Sequence, residues 1–169
     1  VFFIFFEDHI SNIEHKNYEE YFESKLKLFE QTETAIVNLN TADLDRVLEA
    51  AKKSKKLITF GNTENADVYG YNIRKEGMNT VFNVRTKYFD EEILLTMPGL
   101  FNVENALAAI AVATQMNIPY KNIYNGLKKA KASGRMEVYS DKNQEIVVIV
   151  DYAHNKLSFE KLYESTIKE

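Results

Sequence analysis

The sequence predicts an α/β fold: a mostly parallel sheet with helices, accompanied by a small antiparallel sheet. Two patterns carry that expectation. Between residues 34 and 61, apolar strand runs alternate with a helical pattern, the signature of crossover units in a parallel sheet. Between residues 66 and 95 the texture changes to three short runs, 68–73, 80–84 and 93–95. They are broken by Glu76-Gly77 and Asp90-Glu91, as in an antiparallel meander.

Taken in order, the opening Val1-Phe2-Phe3-Ile4-Phe5-Phe6 reads as a buried strand, with Glu7-Asp8-His9 at its carboxyl end. It is too short to span a membrane and lacks the basic flank and cleavage site of a signal peptide. From residue 18 to 31, Tyr18, Tyr21, Phe22, Leu26 and Phe29 mark one face of an amphipathic helix. Lys25 sits on or beside that apolar stripe. Either its stem covers apolar surface while the amine reaches water, or the amine is held inward for a purpose.

A strand is expected at 34–38, a helix from about 40 to 53, and a second strand at 57–61 ending in glycine. After the meander, Pro98-Gly99 signals a turn. A helix then starts at Asn102 as its N-cap and buries Val103, Leu107, Ile110, Ala111 and Thr114. Asn105 lies three residues on, so both amides can project from the same end of the helix. The small residues Ala106, Ala108, Ala109, Ala111 and Ala113 let another element approach closely. Pro119 suits the first position of the next helix, which buries Ile123, Tyr124 and Leu127. A strand at 136–139, a turn at 141–143, a β-branched strand at 145–150 and a helix from about Ser158 complete the chain.

Composition narrows the function. The 169 residues, 45% hydrophobic and 27% charged, suffice for one domain with a real core, with part of another attached. A net charge of -4 gives no electrostatic reason to expect nucleic acid as partner, and nothing in the chain suggests a membrane. There is no cysteine, which excludes disulfides and thiolate metal sites and fits a cytoplasmic protein. The chain starts without methionine inside a strand pattern and stops inside a helical one, which predicts a piece of a longer protein.

In open α/β sheets ligands bind at the carboxyl ends of strands. Glu7-Asp8-His9, Gly134-Arg135 and 151–155 fall at such ends or on adjoining turns. Each has a plainer reading: Asp151 as a helix cap, Arg135 in a surface ion pair, His9 as a satisfied loop histidine. Together with the two amides they suit a nucleotide, with arginine for phosphate, Asp151 for a ribose hydroxyl and amides for the base.

Six stretches occur in an order that resembles the Mur ligase family of peptidoglycan synthesis. They are Glu-Asp-His at 7–9, Tyr-Phe-Glu-Ser-Lys-Leu-Lys-Leu-Phe at 21–29, Thr-Phe-Gly at 59–61, Pro-Gly-Leu-Phe-Asn-Val-Glu-Asn-Ala-Leu-Ala-Ala at 98–109, Gly-Arg-Met-Glu-Val at 134–138 and Asp-Tyr-Ala-His-Asn at 151–155. Within the family the chain most resembles the MurE type, the UDP-N-acetylmuramoyl-tripeptide synthetases. The resemblance implies the P-loop-type central domain of such a ligase at 1–133, N-terminally truncated. It implies at 134–169 the hinge and the start of a Rossmann-like C-terminal ligase domain.

It further implies an ATP-dependent amide ligase that activates the carboxylate of a UDP-MurNAc-peptide as an acyl phosphate for attack by an amino acid, with magnesium relieving charge. His9 would be a magnesium ligand and Lys25 a carbamylated lysine, both at the catalytic centre. Asn102 and Asn105 would lie near the adenine, Arg135 at the phosphates, Asp151 near the ribose, and His154 in the same hinge.

The family's glycine-rich phosphate loop does not occur in these residues, so this chain alone is expected not to turn over ATP. The Phe-rich start is unlike the family's usual Thr-Asn before this Asp-His. Lys156 stands where a proline commonly follows the hinge. The rival readings are a folylpolyglutamate synthetase-like ligase and a non-catalytic nucleotide-binding module. Tyr152 and the 134–138 run favour the MurE type over the former, and Lys25 on its stripe argues against the latter.

Overall fold

The computed structural model describes residues 15–77, 79–97, 99, 101–141, 143 and 145–167. The expected first strand and the Glu7-Asp8-His9 cluster lie outside the described residues.

Helix α1 (Tyr18–Leu26) opens on Asn17, whose side-chain oxygen accepts the Glu20 N–H at 2.9 Å and satisfies one of the unpaired donors of the first turn. It tightens into a 3-10 turn, Lys27–Gln31. Strand β1 (Thr34–Asn38) and strand β2 (Lys56–Gly61) pair in parallel across α2 (Leu44–Ala51), as the alternation predicted. β1 is buried on both faces, which is why its sequence is nearly continuously apolar. Ala35 and Val37 pack with Tyr21, Phe22, Phe29 and Val47 on the α1–α2 side. Ile36 joins Ile58, Phe60 and the helices of the opposite side. Arg46 of α2 ties the first layer together, reaching Glu19 and Glu23 of α1 while its guanidinium lies over the Phe22 ring.

The meander forms β3 (Val68–Glu76), β4 (Asn79–Arg85) and β5 (Asp90–Leu95). It does not stand apart from the parallel strands. β3 pairs in parallel with β2 over Phe60↔Val68 and Gly61↔Tyr69, so one five-stranded mixed sheet runs β1-β2-β3-β4-β5. In its antiparallel half Val68, Phe82, Val84, Ile93 and Leu95 point into the core, and Val81 is buried on the opposite face of β4.

Over that face lies α3 (Phe101–Gln115). Val103, Leu107, Ile110, Ala111 and Thr114 are buried as the spacing predicted. The close approach is allowed from the sheet side: a Cβ on Gly70 of β3 would sit 2.8 Å from the Leu107 side chain. The first helical residue is Phe101, two positions before the one an Asn102 cap would give. Asn102 therefore lies within the first turn, its backbone N–H bonded to the Gly99 carbonyl at 2.9 Å, and is not the N-cap. Gly99 makes that entry in the left-handed region (φ 96°), where a Cβ would meet the Phe101 ring at 2.6 Å.

α4 (Tyr120–Leu127) follows, with Pro119 at its N-cap rather than inside it, and adds Ile123 to the core. Beyond it, β6 (Glu137–Ser140) and β7 (Val147–Val150) form a separate antiparallel hairpin that leads into α5 (Lys156–Ile167). Among the described residues no helix is long and apolar enough to cross a membrane.

Candidate nucleotide site

The expected site residues gather in two clusters, with Lys25 in a third place. The first cluster is built where β1 and β2 end and α3 begins. Asn102 is buried and accepts, through Oδ1, a hydrogen bond from the Asn105 side-chain amide at 3.1 Å. Asn105 itself is exposed. Its carboxamide oxygen and second amide hydrogen keep their bonding capacity, which is the donor–acceptor pair that matches the N6/N7 edge of adenine.

Three residues that the sequence reading did not assign support this turn. Glu104 accepts the Asn38 amide through Oε2 at 3.2 Å and the Asn40 amide through Oε1 at 2.8 Å. Asn38, fully buried at the end of β1, also accepts the Asn40 backbone N–H at 2.9 Å. The available signal was a polar residue closing the apolar strand Thr34–Asn38, sixty-six positions from its partner.

The second cluster is the base of the β6–β7 hairpin. Asp151 accepts the Met136 N–H through Oδ2 and the Ala153 N–H through Oδ1, both at 2.8 Å. It therefore ties the residue before β6 to the residues after β7, and each oxygen keeps a lone pair for a further donor such as a hydroxyl. Asp151 does not cap the last helix. Asn155 does, its oxygen accepting the Ser158 N–H at 2.9 Å and the Ser158 hydroxyl at 2.6 Å.

Arg135 is exposed and its guanidinium lies 5.2 Å from the centre of the Tyr152 ring, which in turn lies 5.0 Å from the His154 ring. His154 Nδ1 is 2.9 Å from the Tyr152 carbonyl. A carbonyl only accepts, so Nδ1 carries the proton and Nε2 of the neutral ring is left as acceptor. Arginine, aspartate and histidine are thus brought together here, with the Tyr152 ring between Arg135 and His154.

Lys25 sits in the last turn of α1, exposed, with its ammonium 4.5 Å from the centre of the Tyr21 ring. A cation suits that end of a helix and the face of a phenol ring. Among the described residues no group of three or more His, Cys, Asp or Glu is arranged to hold a metal ion. His9 lies outside the described residues.

The chain is thus an α/β protein with polar clusters at its strand ends and at the base of a separate hairpin. Residues 1–113 match the Mur ligase middle domain. The chain is 34% identical over 164 residues to the UDP-N-acetylmuramoyl-L-alanyl-D-glutamate--2,6-diaminopimelate ligase of Bacillus licheniformis, covering 92% of this chain and 33% of that protein. It is 32% identical to the enzyme of the same name from Clostridium perfringens, over 91% of this chain and 32% of that one.

A solved UDP-N-acetylmuramoyl-L-alanyl-D-glutamate--2,6-diaminopimelate ligase superposes with a TM-score of 0.77 at 27% identity, over 96% of this chain and 34% of that structure. MurF of Acinetobacter baumannii superposes at 0.82 with 23% identity, over 95% of this chain and 35% of that one, which speaks to the fold alone. The chain belongs to the Mur ligase family, as its motifs implied. It spans about a third of the length of the relatives it matches.

Proposed function

We propose that this chain is the larger part of the nucleotide-binding centre of a ligase of the MurE kind. Residues 1–133 would belong to its central ATP-binding domain and 134–169 to the hinge and the start of a C-terminal ligase domain. The reaction joins an amino acid to UDP-MurNAc-L-Ala-D-Glu in peptidoglycan synthesis. The names of the relatives support that substrate, and they point to diaminopimelate as the amino acid. A cytoplasmic location is part of the same proposal.

The observation that carries the reading is the Asn102–Asn105 amide pair on the first turn of α3. It offers a donor and an acceptor to adenine at the carboxyl ends of the parallel strands, the place where α/β sheets hold ligands. Arg135 supplies a planar cation for phosphate oxygens. Asp151 accepts a ribose hydroxyl on its remaining lone pairs, and His154 offers Nε2 to the same ligand. In the overall reaction the substrate carboxylate takes the γ-phosphoryl group of ATP and ADP leaves. The amine of the amino acid then attacks the acyl carbon and expels phosphate, losing a proton as the amide forms.

Magnesium, when bound, neutralises charge on the phosphoryl oxygens. His9 and a carbamylated Lys25 are the protein ligands we propose for it. A hard divalent cation takes oxygen ligands, which nucleotide oxygens and water would also supply. The last turn of α1 favours a cation over an anion. A carbamate on Lys25 is therefore expected only with the metal beside it.

Titration of the complete product of the gene that carries this sequence with ADP and GDP tests the reading. ADP should bind and GDP much less, and Asn105→Ala, at an exposed position, should weaken ADP by about tenfold, the loss of one good hydrogen bond. Absence of ADP binding, or equal binding of both nucleotides, would refute it.

A further inference from the structure

We infer that Glu104 is a positioning residue for adenine recognition: through Asn38 and Asn40 it clamps the first turn of α3 to the exit of β1, and so sets the pose of Asn102 and Asn105. The inference rests on the nucleotide reading above.

The clamp is a two-point contact. Each oxygen of the Glu104 carboxylate takes one amide, Oε2 from Asn38 at 3.2 Å and Oε1 from Asn40 at 2.8 Å. The amides are themselves fixed. Asn38 is fully buried, and its oxygen is committed to the Asn40 backbone N–H, so its carboxamide cannot reverse without losing both bonds. The same turn is braced from β2: Leu39 donates to the Phe60 carbonyl at 2.9 Å, and a Cβ on Gly61 would lie 3.7 Å from Asn40 Oδ1.

α3 gains from such a pin. Three of its eight buried residues are alanines, whose short side chains interdigitate shallowly, so a polar anchor at the first turn adds to the packing of Val103, Leu107 and Ile110. Glu104 stands between Asn102 and Asn105 in sequence, at about 100° per residue around the helix. A fixed Glu104 therefore fixes the azimuth of both amides. A carboxylate in the first turn also suits the positive end of the helix, but that effect alone would not require two amide partners, one of them fully buried.

The polarity of the clamp gives a test by exchange. Glu104→Gln sets an amide against two amide donors, and one bond is lost. Asn40→Asp sets two carboxylates face to face. Combined, Gln donates to the new Asp and still accepts from Asn38, so the clamp is rebuilt with unchanged net charge. Kd for ADP and GDP and the urea midpoint are measured for the complete product of the gene that carries this sequence and for the three variants.

Each single variant should weaken ADP by about tenfold with GDP little changed, and the double variant should recover the preference for ADP. Should Asn40→Asp fail to fold, the near-isosteric Glu104→Gln alone gives the same comparison. A fall in urea midpoint with the ADP-to-GDP ratio unchanged would make the clamp purely structural and overturn the inference. So would a double variant as unselective as the singles. A wild-type chain that binds no ADP would instead bring down the nucleotide reading, and this inference with it.

Discussion

Asp151 accepts the backbone N–H of Met136 at 2.8 Å, joining two residues fifteen positions apart at the base of the β6–β7 hairpin. Met136 is buried with φ at 48°, a conformation costly for a side chain that large, and the bond helps to hold it there. Asp151→Ala should lose about 1.5–3 kcal/mol of local stability, the usual worth of a hydrogen bond to a charged group. Because the hairpin is a sheet of its own, hydrogen exchange should accelerate at Met136 and Ala153 while the amides of β1 and β4 stay protected. Uniform acceleration across both sheets would contradict this.

Gly70 is where the sheet and α3 come closest. The Leu107 side chain that a new Cβ would strike is itself buried and has little room to turn. Gly70→Ala should cost about 1–3 kcal/mol, read from the urea midpoint. The penalty should shrink in a Leu107→Ala background, since contacting sites do not add.

On the outer face of the sheet, Asp90 accepts the Tyr71 hydroxyl at 2.6 Å and Arg85 Nε at 2.8 Å. The Tyr71 bond, then the Arg85 bond and charge, hold the Asp90 carboxyl below its ordinary value of 3.8. The folded state thus binds this proton less readily than the unfolded chain. Its stabilisation is complete above the ordinary value and is lost as pH falls through the lowered one. Tyr71 shifts the other way, above 10.0, chiefly through its bond to Asp90. Its contribution is complete below pH 10 and is lost as pH rises through the raised value. Asp90→Asn should flatten the acid limb of the stability curve, and high salt should weaken the effect because the group is at the surface. An unchanged acid limb would show that the pair contributes nothing.

Much of this arrangement was legible beforehand. The β-branched run 34–38 and the alternation around it set the parallel pair, and the 3.6 period of α3 named its buried face. The ordered motifs at 98–109, 134–138 and 151–155 located the two clusters. What escaped were relationships between distant residues. The Glu104–Asn38 bond spans sixty-six positions, and neither residue has a local pattern that announces it. Likewise Asn102 read as a cap because asparagine favours caps, but Phe101 was recruited into the first turn. Asp151 had two readings, a helix cap or a contact to ribose. Its carboxylate closes the hairpin, and the capping falls to Asn155 four residues on.

The carbamate proposed for Lys25 has its own spectroscopic test. With 13C-bicarbonate and magnesium present, wild-type protein should show a carbamate carbon resonance that is absent in Lys25→Ala. Omitting magnesium should diminish it, since the last turn of α1 favours the ammonium. A resonance that survives Lys25→Ala would place the modification elsewhere.

The most direct measurement is phosphate release by the complete product of the gene that carries this sequence. It would be assayed with ATP, magnesium and UDP-MurNAc-L-Ala-D-Glu across a panel including lysine and diaminopimelate. The account predicts release that depends on one amino acid, is lost in Lys25→Ala and is partly restored by acetate, with no ATP turnover by the 169-residue chain alone. Turnover with no amino acid in the panel would contradict the ligase, and full activity in Lys25→Ala would contradict the metal site.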